Sequence, residues 1–65
     1  MSATTAAELS AALEAVGSYR RRVGELVVPH LGTEREGLIA AIYEAERALR
    51  TAERVLQRAL KVAGN

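Results

Sequence analysis

The groups with chemistry to offer are few. They are one histidine, His30, eight glutamates, eight arginines, Lys61 and two tyrosines, and there is no cysteine. General acid–base catalysis needs such groups to converge in a water-poor cleft. Here Glu44, Glu46 and Glu53 stand among arginines at helix-surface spacing, and Glu46 and Arg50 are four residues apart. That spacing makes a solvated i,i+4 ion pair. No Glu-x-x-His pair, glycine-rich phosphate loop or nucleophile motif is present in the sequence, which removes the patterns of diiron bundles, nucleotide-binding folds and covalent hydrolases. One histidine without cysteine gives no ligand cluster for zinc. The reading is a non-enzymatic chain with no metal and no cofactor. His30 falls in a connection, as a polar loop or capping residue; its alternative role is a pH-sensitive contact at one end of the molecule.

The basic side chains fall into two groups. Arg20, Arg21 and Arg22 are consecutive, so on a helix they fan over about 200° and do not face one ligand together. Arg47, Arg50, Arg54, Arg58 and Lys61 are spaced 3, 4, 4 and 3, which keeps them on one helix face. All eight are candidate partner contacts. A basic stripe is the electrostatic footprint of nucleic-acid binding, and a merely solvated face has the same pattern. No aromatics interleave with the stripe to stack on bases.

These groups must be positioned by helices. Stop and start signals cluster at Pro29-His30-Leu31-Gly32-Thr33. Proline restricts the residue before it and lacks a donor. Gly32 suits a left-handed position, and Thr33 with Glu36 reads as a capping box. A second such box, Thr5 with Glu8, suits the start of the first helix. The expected layout is one helical-hairpin domain over residues 1–65. Its first helix runs over about 5–28, its connection over 29–33 and its second helix over about 34–63.

The apolar residues form heptad seams. In the first helix the seam is Leu9, Val16, Tyr19, Val23 and Leu26, with Ala12 between. In the second it is Leu38, Ile42, Ala45, Leu49, Ala52, Leu56 and Ala59. Spacings alternating 3 and 4 are those of coiled coils. Alanine at every seventh position of the second seam allows close backbone approach. Ile39, Ala41, Ala48, Val55, Leu60 and Val62 widen the apolar surface beyond what one neighbouring helix covers. Ser10, Gly17 and Gly24 recur every seven residues as a candidate close-approach ridge. The charges favour an antiparallel hairpin, with the basic end of the second helix beside Glu8 and Glu14, and Arg20–Arg22 near Glu34, Glu36, Glu44 and Glu46.

Sixty-five residues bury only about 60% of the unfolded surface, and without disulfides or metal such a chain needs a partner. The expectation is an all-α, coiled-coil-like antiparallel hairpin with an Ala-rich seam that dimerises into a four-helix bundle. Its function would be that of a protein–protein interaction or regulatory module, with nucleic-acid binding as the alternative. A net charge of +1 argues against a general polycation. Met1–Ser10 lacks the basic start and apolar stretch of a secretory leader, and no run approaches the ~20 apolar residues of a membrane span. The cytoplasm is the expected compartment.

Overall fold

A computed structural model describes residues 3–64. Helix α1 spans Ala3–Gly24, a 3₁₀ turn covers Val28–His30, and helix α2 spans Glu36–Gly64. No strand occurs among the described residues. The two helices pack against each other along their lengths. Gly17 lies against Glu53, and Gly24 against Glu46. Contact partners rise on one helix as they fall on the other, so the pair is antiparallel.

Helix α1 ends four residues before the sequence-based boundary at 28. Proline 29 explains this. It has no N–H for the carbonyl of Glu25, its ring crowds that carbonyl, and it disfavours the α conformation at Val28. The chain tightens instead. The N–H groups of Leu26 and Val27 donate three residues back, to Val23 and Gly24, at 3.1 and 3.3 Å. This turn brings Val27 inward, where it is 6% exposed.

His30 to Thr33 form a β-turn closed by the Thr33 N–H donating to the His30 carbonyl at 3.3 Å. Leu31 is extended, with φ −64° and ψ 137°, and Gly32 has φ +77°. These angles define a type II turn, whose third residue needs positive φ. The expected left-handed role of Gly32 is thus met. The expected capping box is not. The turn occupies the Thr33 N–H, which a box would offer to Glu36. The Thr33 hydroxyl donates to the His30 carbonyl at 2.6 Å and accepts the Arg35 N–H at 3.3 Å. Helix α2 therefore starts at Glu36, two residues later than expected, with its first full-turn bond from the Ile39 N–H to the Arg35 carbonyl at 3.1 Å. At the other end, α1 already includes Ala3, so Thr5 lies within its first turn rather than ahead of it.

The core is thin. Among the described residues only Val27, Ile42 and Ala63 form a buried apolar core, and no side chain is wholly enclosed. Leu9, Ala12, Leu13, Val16 and Val23 of α1 are half-buried against Ile39, Leu49, Ala52, Leu56, Ala59 and Leu60 of α2. The Cα envelope measures 50 × 14 × 9 Å, one helix layer thick. Its surface of 4862 Å² exceeds the roughly 4,000 Å² that size scaling gives a compact monomer of 7.0 kDa.

Two glycines separate conformation from crowding, since neither Gly32 nor Gly37 has an atom within 4 Å of an added Cβ. Gly32→Ala should cost about 1–2 kcal/mol, because an L-residue resists the left-handed region. Gly37→Ala, inside α2, should add up to about 1 kcal/mol of stability. Urea unfolding at one protein concentration checks both, and shifts of the same sign would contradict the turn assignment.

Candidate functional site

Helical geometry divides the surface of α2 into three strips. Each residue advances about 100°. Glu46 and Glu53 point along the contact with α1, over Gly24 and Gly17. Ala45 and Ala52 precede them by one residue, and Arg47 and Arg54 follow by one. The triplet Ala-Glu-Arg at 45–47 recurs at 52–54, and Ala-Leu-Lys follows at 59–61. The glutamate line therefore separates an apolar flank from a basic flank.

On α1 the division is matched. Gly17 and Gly24 share one broad face with the two glutamates. Tyr19, two residues beyond Gly17, falls about 160° away, on the side of the α2 alanines. One broad face of the hairpin thus carries Ala12, Val16, Tyr19 and Val23 beside Ala45, Ala52, Val55, Ala59 and Val62. Much of it is open to solvent: Tyr19 is 55% exposed, Val55 47% and Val62 65%.

The expected seams are split by this arrangement. Leu9, Val16, Val23, Leu49, Leu56 and the alanines Ala52 and Ala59 are half-buried in the intrachain contact, and Ile42 is buried. Tyr19, Leu26, Leu38 and Ala45 are exposed and take little part in it. Gly17, Arg20, Gly24, Glu46 and Glu53 stand in the contact instead. Of the ridge, Gly17 is buried and Gly24 half-buried, while Ser10 is exposed. The ridge does mark a close approach, but what approaches is the chain's own carboxylates. A Cβ on Gly17 would lie 3.3 Å from Glu53 Oε2, and one on Gly24 2.9 Å from Glu46 Oε2. The matching seven-residue intervals, 17 to 24 and 46 to 53, were the sequence signal for this pairing.

The arginine run separates into three roles. Arg20 is not free for a partner: its Nε donates to Glu53 Oε1 across the helix pair, with both side chains about one-fifth exposed. It pairs there rather than with Glu44 or Glu46, because the register sets it opposite Glu53. The Arg21 guanidinium lies over Gly17, beside the same carboxylate. The Arg22 guanidinium stacks 5.4 Å from the centre of the Tyr19 ring, a contact worth about 0.5–1 kcal/mol at an exposed site. In α2, Arg50 bonds Glu46 at 3.3 Å, the expected i,i+4 pair, and Arg54 donates to the Thr51 hydroxyl at 3.1 Å. Arg47, Arg58 and Lys61 are exposed and hold no carboxylate among the described residues.

The concavities are open hollows. One of about 240 Å³ is lined by Arg20, Arg50, Glu53, Arg54 and Gln57. Another of about 240 Å³ is lined by Tyr19, Arg22, Val23 and Leu26. Among the described residues no group of three or more His, Asp or Glu could hold a metal ion, and no helix is long and apolar enough to cross a membrane. No family model, curated protein or solved structure matches the chain. What the arrangement offers chemically is two contrasting surfaces, one apolar and one cationic.

The Arg20–Glu53 pair should be a modest contributor. A double-mutant cycle with Arg20→Ala and Glu53→Ala should give a coupling below about 1 kcal/mol, shrinking as salt is raised. Gly17→Ala should be neutral or stabilising by up to about 1 kcal/mol. The helix gains intrinsic propensity, and the atom displaced is the mobile end of Glu53. A loss above about 1 kcal/mol in thermal unfolding would show that the glycine seat sets the helix register.

Proposed function

We propose that the chain is a small non-enzymatic interaction module that self-associates through its apolar broad face, two hairpins closing into a four-helix bundle that serves a regulatory or adaptor role. The excess of exposed surface carries this reading. It is on the order of 800 Å², about what each partner loses in a standard protein interface. Exposed Tyr19, Val55 and Val62 share that face with the alanines, while Tyr43 lies on the cationic flank and Val28 and Leu31 in the connection; an apolar patch of this kind marks an interaction site. The alanines at 45, 52 and 59 would let a second helix layer approach closely, as Leu or Ile there would not.

The non-enzymatic part rests on the side chains present. Glu46 and Glu53 lie in ion pairs and the other glutamates are exposed, and the hollows lack the enclosed walls of a substrate pocket. A cytoplasmic location suits a cysteine-free chain.

Sedimentation at micromolar concentration should give twice the chain mass, and the melting temperature should rise with protein concentration. Ala45→Glu with Val55→Glu should yield a monomer. Both sites are exposed in the single hairpin, so loss of association would not stem from a spoiled hairpin core. A folded monomer from the wild-type chain, or a doubly substituted chain of unchanged mass, would overturn the proposal.

A further inference from the structure

The cationic flank of α2 is left outward whichever surface covers the apolar face. Arg47, Arg50, Arg54, Arg58 and Lys61 fall within an arc of about 80° of the helix, over a length of about 21 Å. All five are exposed. Tyr43 stands in the same arc, one turn before Arg47, with 45% of its surface open. From Tyr43 to Lys61 no carboxylate enters the arc. The nearest lie about 40° outside it: exposed Glu44 on the solvent side and Glu46 on the α1 side, where Arg50 holds it, with Glu53 beyond, engaged by Arg20. Near one end of the ridge Gln57, Arg58 and Lys61 border an open hollow of about 560 Å³.

We propose that this ridge binds the phosphodiester backbone of single-stranded nucleic acid, with Tyr43 as a stacking surface for a base at one end. The ridge is uniform in charge, straight and without an apolar anchor other than Tyr43. Arg and Tyr also serve as hot spots at protein interfaces, but there they work inside a desolvated core, and between Arg47 and Lys61 this arc holds no apolar side chain to close over them. A polymer of evenly repeated phosphates needs only the row of cations, and aromatic stacking adds affinity without demanding a sequence. Over about 21 Å a strand presents about six phosphates, enough to engage all five cations. Among the described residues Arg47, Arg58 and Lys61 hold no carboxylate, so no ion pair there must break before binding.

The test is fluorescence anisotropy with the full chain and a labelled single strand of about 16 nucleotides in mixed sequence. Affinity should fall about 100-fold between about 50 and about 200 mM salt, the slope for five phosphate contacts on a single strand. Arg58→Ala with Lys61→Ala should weaken binding about ten-fold at about 200 mM and make the salt slope shallower by about 1.4. Arg22→Ala, off the ridge, should leave affinity nearly unchanged at that salt, where screening confines charge effects to about 8 Å. Tyr43→Leu should weaken binding several-fold with the salt slope retained. Absence of saturable binding at low salt, a ridge variant that binds like wild type, or equal affinity for poly-glutamate would overturn the proposal; the last would mark an unspecific cation surface instead. Masses measured on the same samples keep the result separate from self-association, since a monomer that binds the strand upholds the ridge and refutes only the bundle.

Discussion

A single helix-to-helix contact carries this fold. Among the described residues most apolar side chains have little besides that contact to be buried in, and two helices lying side by side touch along a narrow strip. A side chain in that strip has neighbours on one side and open space above or below. This is why no described side chain is wholly enclosed and why Leu, Ile and Val at good heptad positions remain half-wet. A hairpin cannot form an enclosed core by better packing of the same two elements; it needs another layer.

Within that constraint the polar groups take unusual places. The contact strip admits Arg20, Glu46 and Glu53 beside leucines because each is paired with an opposite charge and about one-fifth of each side chain still meets water at the strip's edges. Gly17 and Gly24 lower the wall on the α1 side, and the carboxylates rest on bare backbone. The repeated Ala-Glu-Arg order in α2 turns this into a directional device. Alanine lies on one side of the glutamate line and arginine on the other, so one broad face is apolar and the flank beyond the other is cationic. The separation of the two proposed activities, association and strand binding, follows from that order.

The connection is similarly economical in its causes. Proline 29 ends α1 by removing one donor and crowding one carbonyl. Gly32 then reverses the chain with its left-handed φ, and Thr33 ties the turn to the start of α2 through its hydroxyl. Val27 is swung into the core by the tightened last turn. These few residues set where α1 stops relative to α2, and thereby bring Glu46 and Glu53 opposite Gly24 and Gly17.

The sequence by itself determined the helical class, the single connection, the need for positive φ at Gly32 and the basic stripe of α2. Each depends on local chemistry or on spacing within one helix, which the order of residues states outright. It left open which side of α1 faces α2. Apolar residues flank that helix broadly enough for Tyr19 and Leu26, or Gly17 and Gly24, to face inward, and hydrophobic spacing alone favours the larger side chains. Only docking decided. With the glycines turned inward, the carboxylates of Glu46 and Glu53 rest over them, while Arg20 finds its partner across the gap. Those gains involve residues some thirty positions apart, so no local pattern contains them. The helix ends were blurred for a related reason: a capping box and a type II turn compete for the same Thr33 N–H, and the turn wins once the chain must reverse.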